Sequence, residues 1–319
     1  MGNKIGKGYI IMIRNEFKFP SSSGLCDIFA QSFIPDIGNV KAVIQISHGM
    51  TEHSDRYIPF AEKLCKAGYA VFTNDHLGHR RSVKDDSMLG FFGSEKGYMN
   101  IVNDCKKLTE IAKAEYPNVP YFFFGHSMGS FIARCYTKYY GDGIDAAVYC
   151  GTSGPNPGAS VGIAMAKLIS KTKGEMHRSE FINSVAFGTY NKKTAKKTEF
   201  DWLTKDEGTV QEYITDKYCG FIFTAAGFKD LFSVLNEVNT NDWYTSFDKK
   251  LPVLLIAGED DPVGAYGKGV TKVYENLKNT GHGDVTLKLY PTDRHEILNE
   301  TDREDVMAYL VAWFDSKLK

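Results

Sequence analysis

The amino-acid sequence predicts an α/β fold with a mainly parallel central sheet and helices on both faces. Short apolar runs typical of strands alternate with helix-compatible segments up to about residue 150, and the alternation resumes at Leu251. Such alternation indicates parallel strands joined by helical crossovers. Between these two stretches the chain carries no strand-and-helix units. The 319 residues therefore predict one sheet formed by two separate parts of the chain, with an insert between them.

Six strands are expected before the insert and two after it. The predicted strands lie at 10–17, 25–34, 42–46, 69–73, 121–124, 144–150, 252–257 and 285–290. Helices are predicted at 58–67 and 98–116, and in the second of these apolar residues recur every three or four positions, as on one face of a helix. The segment Pro-Asn-Val-Pro at 117–120 marks its end.

The insert begins after a strong turn cluster at 151–158 that is rich in glycine and proline. From there to about Phe247 the chain carries helical stretches and many scattered aromatic residues. Each aromatic taken singly is best explained as part of the insert's own core. As a group, some of them are expected to face a substrate, because an insert between two core strands is placed over the sheet edge that carries the predicted chemistry.

The segment Gly-His-Ser-Met-Gly at 125–129 lies between a predicted strand and a helix-compatible segment. This order of strand, sharp turn and helix is typical of a nucleophile elbow, G-x-S-x-G. A side chain in place of Gly125 or Gly129 would collide with neighbouring backbone, and the free N–H groups of the following helix can hold an anion. An ordinary Gly-Ser turn is the alternative, but the flanking elements favour the elbow. Ser127 is therefore the predicted nucleophile.

An acid and a base are predicted at the ends of the last two strands. Asp261 follows one strand and stands directly before a proline, and His295 follows the next. Parallel strands gather their chemistry at their carboxyl ends, and the chain order Ser, Asp, His is that of an elbow-type hydrolase. Asp260 is the runner-up for the acid and Glu259 comes third. Helix capping would explain one of these carboxylates but not the histidine.

Two backbone donors are predicted for an oxyanion hole, the group of N–H donors that stabilises a tetrahedral intermediate. A His-Gly turn after the strand at 42–46 supplies one donor in such sites, and the residue after the nucleophile supplies the other. The predicted donors are the N–H groups of Met50 and Met128. His48 is predicted to fix the turn rather than to act as acid or base, since His295 already fills that role.

With these residues in place, the chain resembles the α/β-hydrolase superfamily. Within it, the chain is similar to the monoacylglycerol lipase and lysophospholipase-like group, often classed with serine aminopeptidase-type hydrolases. The segment HGMTEHSDRY at 48–57 resembles that group's H-G-x-x-E-H-S-x-R-Y segment, and NDHLGHRRS at 74–82 resembles its D-x-x-G-H-G-x-S segment. The elbow, acid and base segments match as well. The resemblance spans nearly the whole chain and is weakest in the insert.

The resemblance implies an α/β-hydrolase fold with a mostly helical lid after the sixth strand, dividing the chain into 1–152, a lid at 153–247, and 248–319. It also implies that Glu52, Arg56 and His126 help to hold the glycerol end of a substrate, although a structural role, such as a helix-surface ion pair between Glu52 and Arg56, is an equal alternative. Two positions depart from the pattern. Arg80 and Ser130 stand where glycines are common in the group, and either could reshape the pocket wall or its entrance.

The resulting prediction is a serine carboxylic-ester hydrolase that works through an acyl-enzyme. A monoacylglycerol or lysophospholipid is the expected substrate, and shorter esters are expected to be accepted. Three alternatives stay open: a peptidase of the same fold, an acyltransferase that uses an alcohol in place of water, and a non-catalytic ligand-binding protein.

Composition narrows the class further. The chain is 43% apolar and 24% charged, and its formal net charge of −1 gives no reason to expect nucleic acid or an anionic membrane surface as partner. It has no apolar run of membrane-spanning length and no signal-peptide core at its N-terminus, and its six scattered cysteines are typical of reduced packing residues. A cytoplasmic protein without metal or cofactor is expected. Transient contact of the lid with a lipid surface stays open.

Overall fold

The computed structural model describes residues 12–36 and 38–318. Within them, eight strands form one sheet in the order β1-β2-β4-β3-β5-β6-β7-β8. The strands are β1 Met12–Pro20, β2 Asp27–Pro35, β3 Val43–Ser47, β4 Ala70–Asn74, β5 Tyr121–His126, β6 Ala146–Cys150, β7 Val253–Gly258 and β8 Val285–Tyr290. β1 pairs with β2 and β2 with β4 in antiparallel fashion, and all the other pairs are parallel. The predicted mainly parallel sheet is confirmed.

The first predicted strand starts at residue 10, which lies outside the described residues. The N-terminal residues on which the prediction of no signal-peptide core depends also lie outside them. The helices are α1 Ile58–Lys66, α2 Gly97–Glu115, α3 Met128–Tyr140, α4 Gly158–Lys173, α5 Glu180–Phe187, α6 Glu207–Thr215, α7 Ala225–Glu237, α8 Asn241–Thr245, α9 Lys268–Asn279 and α10 Arg303–Asp315. Both helices predicted before the elbow are present, each within two residues of its expected bounds.

The sheet is buried on both faces, which explains the continuous apolar runs of its strands. In β5, Tyr121 and Phe123 point to one face and join the cluster that contains α2, α3 and α9. Phe122 and Phe124 point to the other face, where α1 and α10 pack. A strand that alternates between two apolar layers needs no polar face, so the period of two disappears from its sequence.

The chain between β6 and β7 forms a helical insert (residues 151–252) that contains α4 to α8. Among the described residues of the insert, the most extensive packing between helices is that of α4 on α7, where Gly162 faces the ring of Phe232. The predicted division of the chain into a core and a lid at 153–247 stays a prediction about how this insert works. No helix among the described residues combines the length and apolar character needed to cross a bilayer.

Candidate active site

Ser127 lies in the turn between β5 and α3, and its backbone adopts φ 53° and ψ −123°. A positive φ is costly for a residue with a Cβ, so the turn is strained. The flanking glycines make it possible: a Cβ on Gly125 would strike the carbonyl oxygen of Gly129, and a Cβ on Gly129 would strike the carbonyl oxygens of Ser47 and His48. At both positions, as expected from the sequence, any side chain would collide with neighbouring backbone.

Asp261 and His295 come together at the carboxyl ends of β7 and β8. His295 Nδ1 lies 3.0 Å from Asp261 Oδ2, and the side chains are 2% and 0% exposed. Neither atom has a well-aligned hydrogen bond, so the contact is bent although its length is that of a hydrogen bond. Asp261 Oδ1 accepts a hydrogen bond of 2.8 Å from the backbone N–H of Val263, which fixes the carboxylate.

The other two candidate acids lie elsewhere. Asp260 pairs with Lys193 at 3.1 Å on the surface, and Glu259 is exposed. In the described part of the chain His295 Nε2 makes no hydrogen bond to the Ser127 hydroxyl, which is partly exposed. Such contacts are often long in free enzymes and tighten when substrate binds.

The two predicted oxyanion donors flank the same space. Gly49 approaches the nucleophile so closely that a Cβ on it would lie 3.1 Å from Ser127 Cβ. Within residues 12–36 and 38–318, the N–H groups of Met50 and Met128 have no acceptor, whereas most neighbouring backbone groups do. Free N–H groups beside a nucleophile suit a developing negative charge.

His48 holds the turn that carries Met50, as predicted from the sequence. Its Nδ1 donates to the Gly49 carbonyl at 2.8 Å, and its Nε2 accepts from the His76 N–H at 2.9 Å. Burial and the neighbouring His79 lower the pKa of His48 to about 3, so the ring stays neutral. The Gly49 carbonyl and the Met50 N–H belong to one peptide group and point in opposite directions. The grip on the carbonyl therefore also aims the N–H.

A buried ionic network joins the three loops of the site. Arg56 donates to Glu52 Oε2 at 2.8 Å and binds Glu296 in bidentate fashion at 2.6 and 2.7 Å. Glu52 Oε1 accepts from the Gly49 N–H at 2.5 Å. His126 Nε2 donates to the His295 carbonyl at 3.1 Å, and its Nδ1 lies 3.5 Å from Glu52 Oε1. The predicted substrate contacts Glu52, Arg56 and His126 are thus engaged with protein partners.

The charges in this network balance one another. Burial raises the pKa of Glu52, but the contact with His126 and the charge of Arg56 outweigh it and hold the pKa well below its usual range. Burial lowers the pKa of His126, yet the hydrogen bond and charge of Glu52 raise it overall. Glu296 was missed by sequence reasoning. Its position directly after His295, where an ionised side chain is costly to bury, was the available signal.

Aromatic side chains from the insert reach the base. The ring of Trp202 lies 5.1 Å from that of His295, and the His295 N–H donates to the Trp202 carbonyl at 3.3 Å. Tyr190 packs on Trp202 at 5.0 Å. These two rings of the insert pack toward the acid and base side of the site, Trp202 tilted against His295 and Tyr190 edge-on against Trp202.

The two positions that depart from the resembled pattern have partners of their own. Arg80 pairs with Asp55 and donates to His53 Nδ1 at 3.1 Å, and the Ser130 hydroxyl donates to the Ser127 carbonyl at 2.6 Å. His53 also forms, with Asp216 and Cys219, a group whose ligand atoms lie within 4.8 Å of one another. Because Arg80 occupies one ring nitrogen and Asp216 the other, protein contacts already satisfy this histidine.

Comparisons with known proteins find similar sequences and structures over most of the chain. The family described as serine aminopeptidase, S33, matches residues 38–302. A monoacylglycerol lipase of Mycolicibacterium smegmatis is 26% identical over 309 residues, covering 96% of this chain and 98% of that protein. A monoglyceride lipase homolog of Monkeypox virus is 25% identical, covering 88% and 91%. The crystal structure of a thermostable carboxyl esterase from Bacillus coagulans in complex with glycerol has a TM-score of 0.90 at 31% identity, covering 96% and 99%.

Proposed function

We propose that this chain, which belongs to the serine aminopeptidase S33 family, cleaves carboxylic esters of apolar acyl chains through an acyl-enzyme on Ser127. The chain is a hydrolase of the α/β-hydrolase fold and is similar to monoacylglycerol lipases and esterases. The substrate is a monoacylglycerol or a lysophospholipid-like lipid, and shorter esters are also accepted. The observations that carry the proposal are the buried pair of His295 and Asp261 and the serine held at positive φ in the turn after β5.

The steps follow from these positions. The Ser127 hydroxyl attacks the ester carbonyl while His295 Nε2 takes its proton, and Asp261 stabilises the imidazolium that forms. The Met50 and Met128 N–H groups hold the oxyanion, and each such donor is worth about 3 kcal/mol in the transition state. His295 then returns the proton to the leaving alcohol. Water, activated by His295, cleaves the acyl-enzyme and releases the fatty acid.

The polar network has a supporting place in this proposal. Glu52, Arg56 and His126 fix the loops around the alcohol side of the ester, and any contact with the glycerol end uses the Arg56 N–H donors that remain free. Residues 153–247 act as the lid over the acyl chain, with Trp202 and Tyr190 beside the base. Burying the chain there gains roughly 0.8 kcal/mol per methylene.

The experiment is hydrolysis of p-nitrophenyl esters from acetyl to palmitoyl, beside 1-monoacylglycerol and an aminoacyl-anilide, by the wild type and by Ser127→Ala. We expect ester turnover that falls at least about 10⁴-fold in the variant, because the nucleophile is lost. Ser130→Ala, on the same turn, is the matched control and should keep most activity. Cleavage of the anilide without turnover of the esters would instead favour the peptidase. Ester exchange with an added alcohol would favour the acyltransferase, and failure of a fluorophosphonate to label Ser127 would favour the binding protein.

We further propose that the insert rests on the lipid phase that holds the substrate. Five apolar side chains of α4, α5 and the turn between them are 40–63% exposed: Val161, Leu168, Met176, Phe181 and Val185. Exposed patches of this kind mark interaction sites. The pair Leu168→Gln and Phe181→Gln should weaken binding to phosphatidylcholine vesicles roughly tenfold in flotation, whereas Ile13→Gln, an exposed apolar residue of β1, should not. Equal binding by all variants would count against this contact.

A further inference from the structure

Thr51, the residue after the proposed oxyanion donor Met50, has an unusual backbone. It is 7% exposed and has φ 49°, a region that β-branched residues rarely adopt. Such a conformation persists only where surrounding contacts impose it. The contacts that impose it here come from two directions, the helical insert and a loop of the core.

The insert grips Thr51 through a reciprocal pair of hydrogen bonds and a backbone bond. The Tyr213 hydroxyl donates to the Thr51 carbonyl at 3.0 Å and accepts from the Thr51 hydroxyl at 2.9 Å. The Gly220 N–H donates to the same carbonyl at 3.1 Å. Tyr213 is 5% exposed, so these bonds are shielded from water. The contact joins residues 162 positions apart in sequence.

The core grips the same residue through His79, which belongs to the segment 74–82 that the proposed chemistry does not use directly. His79 Nε2 accepts from the Thr51 N–H at 3.3 Å, and Nδ1 donates to the Leu77 carbonyl at 3.2 Å. Burial lowers the pKa of His79 to about 4, so the ring stays a neutral acceptor. Phe221 and Phe223 of the insert pack edge-on against it at 5.6 and 5.5 Å.

The bond to His79 fixes the peptide between Met50 and Thr51, and the bonds from the insert fix the next peptide, between Thr51 and Glu52. His48 fixes the peptide that carries the Met50 N–H itself. Thr51 N–H, Thr51 carbonyl and Gly49 carbonyl are all bound, while the Met50 N–H between them is free among the described residues. The direction of that N–H is therefore set by its bound neighbours. Part of that constraint comes from a different region of the chain, the insert.

We propose that Thr51 is a positioning residue through which the helical insert sets the Met50 oxyanion donor, with Tyr213 as the insert's contact and His79 as its counterpart in the core. The inference rests on the proposed esterase function. It assigns the insert a second role beside covering the acyl chain: when the insert is displaced, the donor loses its alignment. Turnover, and not only access, then depends on where the insert lies.

The test compares Tyr213→Phe with the control variant Tyr136→Phe. Tyr136 lies toward the end of α3, and its buried hydroxyl donates to Thr109 at 2.9 Å. For Tyr213→Phe we expect kcat to fall roughly 10- to 30-fold with KM unchanged, since a misplaced donor weakens only the transition state. The Ki of a trifluoromethyl ketone, whose adduct with Ser127 carries an oxyanion, should rise by the same factor. Tyr136→Phe should move neither kcat nor Ki.

A second pair tests the link itself. Thr51→Val removes the hydroxyl at equal size and breaks only one of the two Tyr213 bonds, so it should lose less activity than Tyr213→Phe, while Thr51→Ser should retain activity. In the double variant the losses should not add, because Tyr213→Phe already removes the bond to the Thr51 hydroxyl. Additive losses, or a change in KM alone, would overturn the inference. If the wild type proves inactive on esters, the proposed function fails, and hydrogen exchange then tests the positioning role of Thr51 alone. Faster exchange of the Thr51 amide in Tyr213→Phe than in the wild type would support that role, and unchanged exchange would refute it.

Discussion

The carboxyl edge of the sheet and the helical insert hold the candidate site in different ways. The sheet edge uses backbone turns and a paired ionic network, in which Arg56 bridges Glu52 and Glu296 behind the nucleophile. The insert reaches the site with aromatic rings and hydroxyl contacts, chiefly Trp202 and Tyr213. Strands and buried ion pairs allow little movement, whereas rings and single hydrogen bonds can be remade. The proposed chemistry therefore rests on the rigid part of the molecule, and its tuning rests on the adaptable part.

The largest expected difference between the two regions lies in how each tolerates one added methyl group. Gly129 of α3 and Gly162 of α4 are both buried helical glycines. A Cβ on Gly129 would strike backbone carbonyl oxygens of the sheet edge, but one on Gly162 would meet the Phe232 ring at 2.6 Å. Gly129→Ala should therefore lower the free energy of unfolding by more than about 3 kcal/mol. Gly162→Ala should stay within about 1 kcal/mol of the wild type, since the helix propensity of alanine offsets the shift of a ring.

Urea unfolding of both variants measures this difference, with ester turnover of the folded fraction as a second readout. Gly129→Ala should also lose activity per folded molecule, because the elbow must move to make room. Similar stability in the two variants would contradict the view that the sheet edge is the more rigid region.

The amino-acid sequence was enough to predict much of the sheet edge. Strand runs, glycine spacing and chain order placed Ser127, Asp261 and His295 just after the carboxyl ends of strands, and the structure brings Asp261 and His295 within 3.0 Å. These features are local: each turn residue and its strand lie within a few positions of one another. The choice of Asp261 over Asp260 also depended on a local feature, the proline that turns the chain away from the strand.

The contacts between regions could not be predicted in the same way. The bidentate pair of Arg56 with Glu296 spans 240 positions, and the residues around either one do not indicate its partner. The reach of Tyr213 to Thr51 depends on how the insert folds back over the sheet, which aromatic content alone does not specify. Long-range polar contacts depend on tertiary packing, so a single sequence gives their residues but not their pairing.

A smaller difference is expected in how two buried carboxyl groups respond to pH. In the core, the pKa of Glu52 is held well below its usual range despite burial, so the stability it contributes is present above about pH 4.5 and is lost only as the pH falls below that. In the insert, Asp230 of α7 is 1% exposed and faces the start of α2. Burial raises its pKa to about 7, and Lys229 offsets this only in part.

The sign for Asp230 is therefore opposite. Its folded pKa lies above the unfolded value of 3.8, so the native state binds more protons between pH 4 and 7, and stability should fall as the pH rises through that range. The expected loss is on the order of 2–4 kcal/mol, and urea unfolding at pH 5 and pH 8 measures it. Asp230→Asn should remove most of this loss, while Asp142→Asn, at an exposed carboxylate, should keep it. An unchanged free energy of unfolding of the wild type over this range would mean that burial does not hold Asp230 neutral. The insert would then pack on the core with the same stability at basic pH as at acidic pH.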